Sequence, residues 1–157
     1  WSNNVMTRNL FLTIGAKILG APGTLEKSRV AMAEMLHKAG IDYQGIVVDN
    51  GSGLSRVERI TAKQLGQLLE MAWRDPYMPE FMASLPVLGE DGTLAKRFKN
   101  ADLSGRSHLK TGTLDKVSAI AGYMLTRSGK RFVIVILQEG SNSHAVQDAI
   151  LEWVFEQ

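Results

Sequence analysis

The sequence predicts an α+β fold in which an antiparallel sheet is flanked by helices, and three observations predict it. Residues 106–138 carry a strand, Ser107-His108-Leu109-Lys110-Thr111-Gly112-Thr113-Leu114, then two apolar runs, Val117 to Thr126 and Arg131 to Gln138. The link Arg127-Ser128-Gly129-Lys130 between those runs is turn-forming, so the whole reads as a three-strand meander. Helical periodicity precedes it, and a last helix, Ser143 to Phe155, follows with Val146, Ile150, Leu151 and Val154 on one side. Helices before and after an antiparallel sheet define the class.

The earlier elements follow in order. From Ser2 to Leu19 the apolar residues Val5, Met6, Leu10, Phe11, Ile14 and Ile18 recur at helical spacing, which predicts one buried stripe behind a cap at Ser2, Asn3 or Asn4. Gly20-Ala21-Pro22-Gly23 ends that helix. Thr24 caps a second running to about Ala39, with Val30, Met35 and Leu36 inward and Gly40 just beyond its end. Gln44 to Asp49 predicts a short strand, and Asn50-Gly51-Ser52-Gly53 a tight loop. Thr61-Ala62-Lys63-Gln64 is a capping box that opens a helix with Leu65, Leu68, Leu69, Ala72 and Trp73 inward, stopped by Asp75-Pro76. A helical turn from Pro79 to Ser84 closes at Pro86. Glu90-Asp91-Gly92-Thr93 leads into a brief helix from Leu94 to Phe98, and Asn100 to Gly105 is a polar connector.

Composition bounds the rest. At 157 residues, 45% apolar and 22% charged, the chain is of globular type and long enough to bury roughly 70% of its unfolded surface in one core. Its net charge is only +2, with Lys and Arg scattered among acids, which argues against a nucleic-acid partner. Cysteine is absent, a usage that fits a cytosolic or an extracytoplasmic protein equally. No run approaches the ~18 apolar residues of a membrane span. No signal peptide precedes Trp1, and Ser2 already opens a helix, so the chain is expected to begin in the middle of something.

Three hydroxyl-bearing patches invite chemistry. Ser2-x-Asn4 sits at a helix N-terminus, where free N–H groups and the positive dipole end favour polar groups, although Ser and Asn are also simply good caps. Asp49-Asn50-Gly51-Ser52-Gly53-Leu54-Ser55 misses the G-x-S-x-G elbow at Asn50 and Leu54 and reads as a structural turn, with Ser52 or Ser55 able to touch a cleft. Ser107-x-x-Lys110 has the letters of a nucleophile motif, but that motif works on a helix; on a strand its two residues point to opposite faces. Gly112 inside a strand marks a place where a ligand or backbone approaches closely. His37, His108 and His144 have no ligand-like spacing, so no metal is expected, and His108 shares the face of Lys110.

Taken together, Ser2-Asn3-Asn4-Val5-Met6-Thr7-Arg8-Asn9-Leu10, Asp49-Asn50-Gly51-Ser52-Gly53-Leu54-Ser55-Arg56 and Lys110-Thr111-Gly112-Thr113-Leu114 with Ala121-Gly122-Tyr123 resemble, in order and across the chain, the D-alanyl-D-alanine carboxypeptidases of the class C low-molecular-mass penicillin-binding protein type. The resemblance implies a partial transpeptidase-like (β-lactamase-like) domain, with residues 1–157 as the C-terminal part of a penicillin-binding catalytic domain whose Ser-x-x-Lys nucleophile lies upstream. It implies a serine-type carboxypeptidase or endopeptidase of the periplasm, acting on peptidoglycan stem peptides through a seryl acyl-enzyme and needing no cofactor. A β-lactamase or esterase of the same superfamily, or a non-catalytic wall-binding domain, are the alternatives.

Residue roles come with it. The resemblance implies that Ser2 relays a proton to the leaving amine, Asn4 donates to the substrate backbone and Lys110 supplies positive charge beside Ser2. Thr111 and Thr113 bind the terminal carboxylate of the D-Ala-D-Ala peptide, the Thr113 N–H forms one arm of the oxyanion hole, and Gly112 leaves room for the peptide. β-Lactams would acylate the same upstream serine, leaving this chain able to recognise but not to acylate. The resemblance further implies that Arg131 to Gln138, buried on both faces in the family, here lacks an edge partner, so that the isolated chain is expected to self-associate through that strand or to be poorly stable.

Overall fold

A computed structural model describes residues 2–140 and 144–157. Its sheet is the meander β1 (Ser107–Leu114), β2 (Val117–Leu125) and β3 (Arg131–Glu139), antiparallel and in the order β1-β2-β3. The register pairs Leu109 with Gly122 and Gly122 with Ile134, so these residues share one face. Helix α5 (Ala145–Phe155) packs on that face through Leu151, Val154 and Phe155, joining Leu88, Leu94, Leu103, Leu109, Ile120, Met124 and Ile134 in one core. The opposite face carries Tyr123, whose hydroxyl donates to the Leu69 carbonyl at 2.7 Å and whose ring meets Trp73 and, from the short helix α4 (Met78–Ala83), Phe81. Helices therefore cover both faces of the sheet.

The chain forms two compact units, Trp1–Gln64 and Leu65–Gln157. In the first, α1 (Asn4–Leu19) lies against α2 (Leu25–Lys38). Their seam is made of small residues, because a Cβ on Gly15 would stand 2.5 Å from Ser28 Oγ. The Ser28 hydroxyl is turned back to the Thr24 carbonyl, as buried hydroxyls in helices do. Thr24 caps α2 as expected, accepting from Lys27 N. The capping box is also present: Gln64 N donates to Thr61 Oγ1 and Thr61 N to Gln64 Oε1, opening α3 (Ala62–Trp73). Gln64 then uses its amide to hold the carbonyls of Asp42 and Gln44.

Several expectations are corrected. The helix starts at Asn4, behind Asn3, which is one of the three expected caps; but of its apolar stripe only Phe11 is buried, and Val5, Met6, Leu10, Ile14 and Ile18 are exposed, because the seam with α2 follows Phe11 and Gly15. Val30 and Met35 are likewise exposed, since α2 buries Ser28, Ala31 and Leu36. Residues 44–49 form no strand: Gly45 at φ +79° turns the chain, and one bridge, Val47 to Arg59, remains. The helix expected from Leu94 is a single 3₁₀ turn, Gly92–Leu94, that does not extend to Phe98, which sits at φ +59°. The expected start of the last helix at Ser143 lies outside the described residues, and Val146 faces solvent. β3 forms one edge of the sheet, as expected, but its faces are incompletely covered, with Phe132 on one and Leu137 on the other exposed.

One contact makes the sheet intolerant at its centre. Gly122 sits at φ +149°, and a Cβ there would run into the His108 carbonyl oxygen of the neighbouring strand. Gly122→Ala is expected to destabilise the protein by roughly 2 kcal/mol or more, read as a lowered denaturant midpoint, because backbone cannot yield as a flexible side chain can. A midpoint unchanged by the substitution would refute this account of the β1–β2 packing.

Candidate active site

Backbone pairing decides where the sheet can receive a ligand. On the side of β1 away from β2, Leu88 N donates to the Ser107 carbonyl at 3.0 Å and Leu109 N to the Pro86 carbonyl at 2.8 Å. Residues 86–88 thus cover the first half of that edge, with Val87 bridged to His108. Hydrogen-bonding direction alternates along a strand, so the N–H and C=O groups of Thr111 and Thr113 point the same outward way. Among the described residues of this unit, the cover stops at Leu109. From Lys110 to Leu114 the edge is open to β-strand addition by an extended peptide.

The side chains along this edge are sorted by face. Ser107 and Leu109 point into the α5 core and are fully buried, whereas Lys110 points the other way. The Lys110 ammonium reaches round to donate to the Thr111 carbonyl, placing positive charge at the open edge. Partial burial lowers the Lys110 pKa below the ordinary value, because desolvation disfavours the charged form. On the core side, Thr111 Oγ1 lies 2.5 Å from Thr93 Oγ1. Gly112 is exposed, and a Cβ built on it meets only Ala119 Cβ at 3.8 Å, an ordinary contact. Internal packing does not demand a glycine there.

In the first unit, the cap of α1 is made by Asn3, the middle residue of Ser2-x-Asn4, through its Oδ1 and Met6 N at 2.9 Å. Ser2 and Asn4 are thereby relieved of that work, and Ser2 is exposed at the helix head. The loop beside this helix is rigid by its own bonds. Asn50 Oδ1 accepts from both the Ser52 N–H and the Ser52 hydroxyl, Ser52 Oγ accepts from Leu54 N, and Asn50 Nδ2 donates to the Leu54 carbonyl. Gly51, at φ +67°, lies so close to the Phe11 ring that a Cβ would stand 2.5 Å from it. Ser52 is thus occupied in holding a turn, and Ser55 Oγ accepts from Val57 N.

The structure gathers Lys110, Thr111, Gly112 and Thr113 on one open edge and sets Ser2 and Asn4 at the head of a helix in the other unit. Ser107 is no partner for Lys110: its hydroxyl is buried on the opposite face, without a hydrogen-bond partner among the described residues. Sequence reasoning did not single out Thr93. Residues 90–93 read as a turn, and no local signal marks a contact with a residue 18 positions away.

The sequence profile of the D-Ala-D-Ala carboxypeptidase 3 (S13) family matches residues 1–156. The chain is 37% identical to the D-alanyl-D-alanine carboxypeptidase of Actinomadura sp. (strain R39) over 96% of its own length and 29% of that protein. It is 31% identical to the carboxypeptidase DacB of Mycolicibacterium smegmatis, over 95% of this chain and 34% of that one. The fold superposes on penicillin binding protein 4 of Haemophilus influenzae with a TM-score of 0.88 at 22% identity, covering 98% of this chain and 37% of the other. The chain spans about a third of the length of these relatives.

Proposed function

The chain belongs to the D-Ala-D-Ala carboxypeptidase 3 (S13) family, and from that membership we propose that it is the C-terminal part of the catalytic domain of a serine-type carboxypeptidase or endopeptidase acting on peptidoglycan stem peptides. The observation that carries this reading is the edge of β1, covered as far as Leu109 and open where Thr111 and Thr113 turn their backbone outward beside the Lys110 ammonium. An extended peptide laid along that edge would pair with Thr111 and Thr113, present its terminal carboxylate to their hydroxyls and find the Thr113 N–H at the developing oxyanion. Lys110 adds electrostatic stabilisation of the anionic transition state. Ser2 would pass a proton to the leaving amine, and Asn4 would donate its amide to the substrate backbone.

The attacking serine of this scheme belongs to a Ser-x-x-Lys motif elsewhere in the whole enzyme, and the reaction is acyl transfer through a seryl ester with water as final acceptor. Within this chain the motif occurs once, at Ser107-x-x-Lys110, and there Ser107 is buried on the face opposite Lys110, which argues against it as nucleophile. The 157 residues by themselves would therefore recognise a ligand without becoming acylated. The compartment that fits this substrate is the periplasm, and among the described residues no helix is long and apolar enough to cross a membrane.

The free edge of β3 supports a second element of the reading, self-association of the isolated chain. Two copies paired antiparallel about Val135 would set Arg131 of each opposite Glu139 of the other on the same face.

Three outcomes are expected. A labelled penicillin should label the full-length enzyme covalently and leave the 157-residue chain unlabelled on denaturing electrophoresis; label on the chain would place a nucleophile within it. In the full-length enzyme Gly112→Ala should keep its melting temperature, since the methyl group has room, while acylation slows at least about tenfold because the peptide path is obstructed. Unchanged acylation would remove the β1 edge from the binding path. Sedimentation of the isolated chain should show a dimer that Arg131→Glu weakens, and a monomer at all concentrations would end the edge-pairing idea.

A further inference from the structure

We infer that Thr93 is a positioning residue for carboxylate recognition, acting through Thr111. The inference rests on the proposed function above and extends it to a residue outside the Lys110-Thr111-Gly112 motif. The two hydroxyl oxygens stand 2.5 Å apart, a short O–H···O distance, so one of them donates to the other. A threonine hydroxyl has a single proton. If Thr111 donates to Thr93, it has nothing left to offer a ligand carboxylate. If Thr93 donates, the Thr111 oxygen is held from behind and its proton is free to turn toward the open edge. A bound carboxylate selects the second arrangement, and the relay Thr93 to Thr111 to carboxylate polarises each bond in the same direction.

The loop that carries Thr93 is built to deliver it. Val87 N donates to Asp91 Oδ1 at 2.6 Å and Gly89 N to the Leu94 carbonyl at 3.1 Å, closing residues 87–94 on themselves. Leu88 and Leu94 are fully buried in the core on either side of the turn. Farther on, Arg97 pairs with Asp148 and donates to Gln147 Oε1, pinning the loop to α5. The same loop supplies Pro86–Leu88, the cover over the first half of β1. One rigid segment thus determines where the open edge begins and which way the hydroxyl beside that opening is aimed. Thr93 itself is exposed, so its bond to Thr111 adds little to stability and is available to a ligand.

The test uses the full-length enzyme and compares acylation by a carboxylate-bearing penicillin with acylation by its methyl ester. Thr93→Val is expected to slow acylation by the acid about tenfold and by the ester far less, so that the preference for the acid collapses at an unchanged melting temperature. Thr93→Ser should restore the preference, and Thr93→Ala replaces the valine variant should the turn be disturbed. Thr111→Val serves as the reference. If Thr111→Val abolishes the preference while Thr93→Val leaves it intact, or if Thr93→Val slows acid and ester equally, the role of Thr93 is refuted and the carboxylate site stands. If Thr111→Val leaves the preference intact, the carboxylate assignment itself falls and Thr93 falls with it.

Discussion

The three residues Pro86–Leu88, paired with β1 only as far as Leu109, are the constraint on which the rest of the molecule depends. A strand edge in water presents unpaired N–H and C=O groups and invites another chain. Here the invitation is withdrawn for Ser107–Leu109, whose side chains belong to the core, and left standing for Thr111 and Thr113. The cover is held by the core itself: Leu88 and Leu94 are buried with Leu109, Leu151 and Phe155, so the covering segment cannot drift along the strand without opening the α5 interface. The open edge of β1 is in this sense a by-product of hydrophobic packing on the sheet's α5 face.

Glycines show how differently the same residue works at two places in one strand pair. Gly122 is required from within, because the β1 backbone passes where its Cβ would be. Gly112 is not, because the nearest atom to a methyl group there is Ala119 Cβ at van der Waals distance. A glycine that the protein's own packing does not demand fits the proposed approach of a peptide from outside, on the side to which Thr111 and Thr113 turn their backbone. Both appear in the sequence as a Gly inside a strand, and nothing local separates them. The difference lies in how close a neighbouring strand comes.

What was legible in the sequence was what short-range physics decides. The capping box Thr61 to Gln64, the Thr24 cap, the meander and the opposite faces of Ser107 and Lys110 follow from hydrogen-bond valence and strand alternation, and the structure has all of them. Periodicity also located the apolar faces of α1 and α2, but it misassigned their cover, since helical spacing reports a stripe and not what lies against it. The α1–α2 seam runs instead through Gly15 and Ser28, residues too small to register as core in a hydrophobic pattern. Residues 44–49 failed for a local reason, Gly45 in the left-handed region, and Thr93 for a distant one, a partner that only the folded β1 edge brings near.

Of the hydroxyls that the sequence offered for chemistry, burial and hydrogen bonding remove most. Ser107 is sealed in the core, Ser52 is consumed by Asn50 and Leu54, and Ser55 holds Val57 N. Ser2 stands apart because the α1 cap, the role a serine at that place would ordinarily take, is performed by Asn3. A cap in the middle of Ser2-x-Asn4 lets the flanking side chains keep fixed positions at the positive end of the helix without spending their own donors and acceptors on it. The central residue of the motif thus terminates the helix, which leaves the outer two free for the polar roles proposed for them and gives the spacing a physical reason.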